Sequence, residues 1–165
     1  MNLSFCPVCR RISKAGEICP ECHLHCNDPA NTYVERLLVT VLSAEPDRAG
    51  TIVDVLTRML HERRAVIPLI QLLHMKGDPY PLVIAARGLS RLGDPQAVPA
   101  LVKLLLDENN PYVARVAAAE ALGKIGGDSA IQALKQARSS PRKSVAKEAV
   151  KALDYLESNW KSKHA

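Results

Sequence analysis

The sequence is poor in aromatic residues, which make up 4% of its 165 positions and include a single Phe and a single Trp. Apolar residues still account for 47% of the chain, so a hydrophobic core can form. That core must be built largely from Ala, Leu, Val and Ile. The composition therefore favours closely packed helices over an aromatic-filled β-sandwich.

The sequence also lacks long apolar stretches and targeting signals. A membrane-spanning helix needs about 18 or more consecutive apolar residues, and no such run is present. The residues before Cys6 hold neither a basic start nor an apolar segment, so we expect no secretion signal. We therefore predict a cytoplasmic protein, in which thiols stay reduced.

The amino-terminal segment contains two C-x-x-C pairs, Cys6 with Cys9 and Cys19 with Cys22. Each pair forms a tight turn that points two sulfur atoms at one position, and two such turns complete a tetrahedral Zn²⁺ site. A segment as short as 1–28 cannot bury enough apolar surface to fold alone, so the metal would supply folding energy. We predict a structural zinc ribbon over residues 1–28, with Zn as cofactor.

The residues around these pairs carry a resemblance and an open question. Phe5-Cys6-Pro7-Val8-Cys9 and Ile18-Cys19-Pro20-Glu21-Cys22 resemble the short zinc ribbons of many bacterial and archaeal proteins. Lys14-Ala15-Gly16 is predicted as a hairpin tip between the pairs. His23, His25 and Cys26 either contribute to metal binding or form an exposed strand end with a spare thiol.

Residues 65–126 contain the same pattern twice. Ala65–Leu73 recurs 32 residues later as Ala97–Leu105, and Ala85–Gly93 recurs 33 residues later as Ala118–Gly126. A fixed period in this range is typical of stacked helical repeats. Apolar spacing and breaker residues predict four helix pairs within 29–165. Their approximate ranges are 32–43 with 48–61, 65–74 with 81–92, 97–106 with 113–125, and 130–138 with 144–158.

These repeats resemble HEAT repeats of the short type named after phycobilin lyases. The resemblance rests on Asp78-Pro79, Leu92-Gly93-Asp94, Asn110-Pro111-Tyr112-Val113-Ala114-Arg115 and the alanine pairs at 85–86 and 118–119. It implies an all-α, right-handed α-solenoid of about four helix pairs, preceded by the small zinc ribbon. It also implies that the second helix of each pair lines the concave face.

Aligning the second helices by their apolar stripe predicts two exposed lines of side chains. The first is Asp54, Arg87, Glu120 and Lys151, and the second is Arg58, Arg91, Lys124 and Tyr155. Signs alternate along the first line, so we expect salt bridges between neighbouring repeats. Three cations in the second line either contact an acidic partner or form a solvated helix face.

The positive charge is concentrated at the carboxyl end. The net charge is +5, and residues 129–165 hold eight Lys or Arg against three acidic residues. Terminal repeats of solenoids need a polar outer face. We therefore predict a basic cap, with electrostatic binding as the alternative.

No catalytic motif is apparent, including nucleophile elbows, phosphate loops and HExxH sequences. Deoxyhypusine hydroxylase-like proteins, a family with similar repeats, carry several His-Glu pairs that bind two irons. This chain has one such pair, His61-Glu62. HEAT-like DNA glycosylases use a Trp that faces the lesion, and the single Trp here is Trp160, near the end of the chain. We therefore predict that the chain is not an enzyme.

The sequence predicts a non-catalytic adaptor or scaffold that binds a protein or peptide on its concave face. Two alternatives stay open. A nucleic-acid-binding protein would use the ribbon, the basic end and the line of cations. A bilin-lyase-like chromophore attachment factor is implied by the resemblance of the repeats. Sequence gives no indication of the oligomeric state.

Overall fold

The computed structural model describes residues 3–5, 12–14, 37–38, 40–42, 46–75 and 78–164, and the fold is given for this part of the chain. Two short strands, β1 (Leu3–Phe5) and β2 (Ile12–Lys14), pair antiparallel. Lys14 lies opposite Leu3 at the end of β2, and the other residues of the predicted hairpin tip at 14–16 lie outside the described residues.

The rest of the described chain is helical and ordered in pairs. The first pair is partly described: residues 37, 38 and 40 are helical, and a second helix follows them. The helices are α1 (Pro46–Asp54), α2 (Val66–Leu72), α3 (Tyr80–Leu92), α4 (Val98–Leu106), α5 (Tyr112–Ile125), α6 (Asp128–Ala137) and α7 (Lys143–His164). The prediction of a helical repeat protein is confirmed.

Acidic residues and glycine define the helix boundaries. The carboxylate of Asp94 accepts a hydrogen bond from the backbone N–H of Gln96 at 2.9 Å and starts the 3₁₀ turn Pro95–Ala97 before α4. Glu62 accepts in the same way at the 3₁₀ turn Arg63–Ala65 before α2. Gly93 ends α3 with a φ of 66°, a conformation that glycine adopts without strain. The Asp-Pro and Gly signals therefore act as the sequence predicts.

The core runs continuously through the helix pairs. The fully buried leucines of the described residues are Leu38, Leu56, Leu69, Leu72, Leu89, Leu101, Leu105, Leu122 and Leu134. Between the second helices the buried residues are small, including Ala85, Ala118 and Ala149. A Cβ added at Gly123 of α5 would lie 2.7 Å from the Cβ of Ala152 in α7. Small side chains thus allow successive second helices to lie very close together.

One buried charge links the third and fourth pairs. Arg115 of α5 is 6% exposed, and its Nε donates to the backbone carbonyl of Leu105 at 2.9 Å. Its Nη2 donates to the hydroxyl of Ser140 at 3.3 Å. The guanidinium therefore joins the end of α4 to the turn before α7, and we assign it a structural role.

Candidate functional site

The second helices form one continuous surface. α1 packs against α3, α3 against α5, and α5 against α7. Three depressions lie along them, with volumes of about 760, 300 and 110 Å³. The first and second share Arg87 and Arg91, and the second and third share Glu120 and Lys124. We call this continuous surface the second-helix groove.

The first depression is the largest and lies between α1 and α3. Its charged lining residues are one acid, Asp54, and three cations, Arg58, Arg87 and Arg91. Apolar and aromatic groups line it as well, including Met59, Tyr80 and Ile84. Such an open surface, with several cations beside exposed apolar side chains, suits an extended ligand better than an enclosed small molecule.

A π-helical turn forms one wall of this depression. Residues Val55–Met59 continue α1 with wider turns, and the N–H of Leu60 donates to the carbonyl of Val55 at 3.1 Å. The buried Thr57 hydroxyl donates to the carbonyl of Val53 at 2.7 Å. Regular α-helical spacing would place Met59 on the buried face with Leu56, but its side chain is 76% exposed. An i→i+5 turn changes the register, so a residue three positions after Leu56 no longer faces the core.

Asp54 organises the cations of the first depression. Its Oδ1 lies 2.7 Å from Nη1 of Arg91, which belongs to the next helix pair. The same guanidinium nitrogen is 3.4 Å from the hydroxyl of Thr57. The other oxygen of Asp54 lies 3.8 Å from Arg58, whose side chain is 64% exposed. Arg91 is therefore held in place, whereas Arg58 is weakly paired and open to solvent.

The third depression is neutral, and the second adds only the pair of Glu120 and Lys124 to the two arginines that it shares with the first. Lys124 donates to Glu120 at 2.9 Å, and Lys151 to Glu148 at 3.3 Å. The hydrogen bond from Lys124 is the largest cause of the lowered pKa of Glu120, and burial acts in the opposite direction. The nearby positive charges of Lys124, Arg87 and Lys151 lower this pKa further. Lys124 and Lys151 are thus each paired with a glutamate, whereas Arg87 acts on Glu120 without a salt bridge.

All seven residues predicted to bind a partner line the groove. They are Arg58, Arg87, Arg91, Glu120, Lys124, Lys151 and Tyr155. Tyr155 lies at the far end and is 50% exposed. Lining a groove does not test binding, so their role stays a prediction. Met59, Tyr80 and Glu148 also line it and were not predicted. The aromatic Tyr80 directly after Asp78-Pro79, at a helix start, was an available signal.

The expected salt bridge between neighbouring repeats is present at one place, but it joins the two lines and does not run along the first. We expected bridges along the first line, from Asp54 to Arg87 and onward. Within the described residues, Asp54 instead pairs with Arg91, and Glu120 pairs with Lys124 of the same helix. Residues four apart on a helix lie side by side, so Lys124 is within reach of Glu120. Arg91, one turn beyond Arg87, reaches across to Asp54.

The His61-Glu62 pair does not form a metal site in the structure. Both oxygens of Glu62 accept from the guanidinium of Arg64, at 3.0 and 2.9 Å. These hydrogen bonds lower the pKa of Glu62, against the effect of burial. His61 is exposed and has a φ of 46°. Across the part of the chain that the structure describes, no group of three or more His, Cys, Asp or Glu is placed to hold a metal.

Several predictions concern residues outside this part of the chain. Cys6, Cys9, Cys19 and Cys22 are not among the described residues, nor are His23, His25 and Cys26. The four-cysteine ligand set and the division into 1–28 and 29–165 therefore stay predictions. Among the described helices, none combines the length and apolar character needed to span a bilayer.

Comparisons with known proteins give a family and an enzyme. A family model described as HEAT repeats matches residues 66–154. Deoxyhypusine hydroxylase from Rattus norvegicus is 38% identical over 76 residues, which are 46% of this chain and 24% of the rat protein. The structure of human deoxyhypusine hydroxylase in complex with glycerol matches with a TM-score of 0.66 and 26% identity. That match covers 78% of this chain and 44% of the human chain, so this chain spans under half of either relative.

These relatives overturn three predictions. Both are hydroxylases, which contradicts the predicted non-catalytic adaptor and the prediction that the chain is not an enzyme. Hydroxylases of this kind use iron, which contradicts Zn as the cofactor, and no metal site is present in the described residues. Neither relative is a bilin lyase or a nucleic-acid-binding protein by name, so both alternatives go unsupported. The sequence misled because the repeats carry the fold, and fold alone does not fix function.

Proposed function

This chain belongs to the HEAT-repeat family, and we propose that it has an enzymatic function of the hydroxylase type, in which the second-helix groove binds a protein substrate. The catalytic part of the proposal rests on similarity to deoxyhypusine hydroxylase in sequence and in fold. The binding part rests on the groove itself. Its first depression, of about 760 Å³, is the single observation that favours binding of an extended ligand.

A protein substrate fits the shape and chemistry of the groove. The groove runs over α1, α3, α5 and α7, so an extended polypeptide can contact several repeats at once. Its lining alternates charged pairs with apolar side chains, which suits a chain of mixed side chains.

The described repeats do not fit the iron that such relatives use. Glu62 is engaged by Arg64 through both carboxylate oxygens, and no group of three or more possible metal ligands is found among the described residues. We therefore assign these repeats to substrate binding and assign no chemical step to them. Iron ligands, where the chain uses iron, would come from residues beyond the described ones or from another protein.

The catalytic proposal is tested in the native cell. We would delete the gene, then compare the proteomes of the deletion strain and of a strain complemented with the full chain by mass spectrometry. We expect at least one peptide to lack the mass of one oxygen atom in the deletion strain and to regain it on complementation. Complementation with an Arg58→Gln/Arg87→Gln variant should restore it poorly. Identical side-chain hydroxylation in the deletion and complemented strains would contradict the enzymatic proposal.

A further inference from the structure

Two arginines in the first depression, Arg58 and Arg87, form no short ion pair with a described acid, although the charge of Arg87 acts on nearby Glu120. Asp54 is the one acid among the residues lining that depression, and its short contact of 2.7 Å is with Arg91. Arg58 lies 3.8 Å from Asp54 and is largely exposed. Arg87 is also exposed, and within the described residues no salt bridge includes it. One acid and three cations leave this depression with an excess of two positive charges, counted as three minus one.

The arrangement of these arginines suits carboxylates. Arg58 comes from the π-helical turn of one pair and Arg87 from the second helix of the next. Both line the same depression, so an acidic group between them could receive hydrogen bonds from both. A guanidinium presents a planar fork of donors that matches the two oxygens of a carboxylate. Met59 and Tyr80, exposed beside them, supply apolar contact for the rest of a peptide.

The charge pattern along the groove limits the size of the anionic ligand. Beyond Arg87, the lining cations Lys124 and Lys151 are each paired with a glutamate. A nucleic acid presents a phosphate at every step and binds best to cations along its whole length. The excess charge here comes from arginines of the first depression, two of which also line the second, and it does not extend to the third. That pattern favours a short acidic segment followed by neutral residues.

We propose that the first depression of the second-helix groove binds an acidic segment of a protein, with Arg58 and Arg87 contacting its carboxylates. Asp54 holds Arg91 in place and neutralises part of the positive charge of the depression. This inference rests on the proposed function, because it names the chemistry of the protein substrate. It concerns binding alone, so its test is independent of hydroxylation.

The test measures peptide binding by fluorescence anisotropy with the full chain at low salt. The probes are a labelled glutamate-rich peptide, its glutamine counterpart and a single-stranded oligonucleotide. We expect the glutamate-rich peptide to bind and the other two to bind weakly. In Arg58→Gln/Arg87→Gln the affinity for that peptide should fall about tenfold, since exposed pairs are worth up to about 1 kcal/mol each. Lys135→Gln/Arg138→Gln removes the same charge from exposed sites on and just after α6, outside the groove, and should leave the affinity unchanged.

A second variant tests the role of Asp54. Asp54→Asn removes the acid and releases Arg91, so the glutamate-rich peptide should bind a few-fold more tightly. A variant that merely damaged the fold would weaken binding, and melting curves of all variants would show such damage. Equal loss in the groove and control variants, equal affinity for the glutamine peptide, or tighter binding of the oligonucleotide would overturn the inference. Peptide binding without any hydroxylated protein in the cell would leave the inference standing and reject the enzymatic proposal.

Discussion

At the scale of single residues, Glu62 stabilises the turn before α2 through its charge. It accepts from the backbone N–H of Arg64 and from the Arg64 guanidinium, which lowers the pKa of its carboxyl. A group with a lowered folded-state pKa stabilises the fold above its unfolded-state pKa. That stabilisation is lost as the pH falls through the folded-state value. Glu62→Gln should therefore lower the free energy of unfolding by about 0.5–1 kcal/mol at neutral pH.

Urea denaturation at a series of pH values measures this effect. The difference between Glu62→Gln and the unmodified chain should shrink toward zero in acid, below the folded-state pKa of Glu62. Glu157→Gln, at an exposed position of α7, serves as the control and should change stability little at any pH. A Glu62→Gln deficit that stayed constant down to acid pH would show that charge is not the cause.

The candidate site could be predicted from sequence in its members but not in its pairings. Aligning apolar stripes identified eight residues that line the groove, including Arg58, Arg87 and Arg91. Which cation meets Asp54 depends on side-chain reach across two helices, and Arg91 meets it at 2.7 Å. Stripe alignment gives a face of a helix but no distances, so it could not separate a held arginine from an exposed one.

At the scale of elements, the close packing of α5 on α7 depends on Gly123. An added Cβ would lie 2.7 Å from the Cβ and 3.1 Å from the Cα of Ala152, so the helix backbones would have to separate. Gly123→Ala should lower the free energy of unfolding by about 1–3 kcal/mol, although alanine favours helix more than glycine does. Thermal and urea unfolding measure this change.

Gly50 of α1 is the matched control for Gly123. An added Cβ there would also meet an atom at 2.7 Å, but that atom is the hydroxyl of Tyr80, which is 40% exposed. The tyrosine ring can move toward solvent, so Gly50→Ala should leave stability unchanged or raise it by up to about 1 kcal/mol. Equal destabilisation at both positions would mean that the α5–α7 contact is not specially tight.

Element boundaries were predictable where local chemistry sets them. The helix predicted over 81–92 is α3 (Tyr80–Leu92), and the helix predicted over 113–125 is α5 (Tyr112–Ile125). Asp78-Pro79 and Gly93 bound α3, and Asn110-Pro111 and Gly126 bound α5, so local residues determine these boundaries. The π turn Val55–Met59 was not predictable, because its wider hydrogen-bond register has no local sequence signature that periodicity detects. That turn is why Met59, three positions after Leu56, does not face the core.

At the scale of the whole molecule, the repeat period predicted architecture and left function open. The stack of helix pairs follows from apolar spacing, and the family match over residues 66–154 agrees with it. The catalytic relatives share that stack, yet no residue pattern in the repeats of this chain indicates catalysis. His61-Glu62 was the one local sign of a hydroxylase-like metal site, but the Glu62 carboxylate accepts a hydrogen bond from Arg64 instead. Similarity over the repeats, rather than a motif, therefore carries the enzymatic proposal.

In a stack where each helix pair contacts its neighbours, a destabilising substitution should cause different local unfolding at the end of the stack and in its middle. Leu56, in the π turn after α1, and Leu122 of α5 are both fully buried, so replacing either by Ala should cost about 2–5 kcal/mol locally. α1 packs mainly on α3, whereas α5 contacts α3, α4, α6 and α7. Stability in such stacks is a sum of repeat and neighbour terms. The destabilisation caused by Leu56→Ala should therefore stay local, and the destabilisation caused by Leu122→Ala should spread to the neighbouring helices.

Amide hydrogen exchange followed by mass spectrometry distinguishes these outcomes. Leu56→Ala should speed exchange in α1 and in the turns that follow it, while α5, α6 and α7 keep the protection of the unmodified chain. Leu122→Ala should speed exchange in every helix from α3 to α7. The two variants make the same chemical change at equally buried positions, so they control for each other. Uniform acceleration by both would show a single cooperative unit, and the description as a stack of nearest-neighbour pairs would then fail.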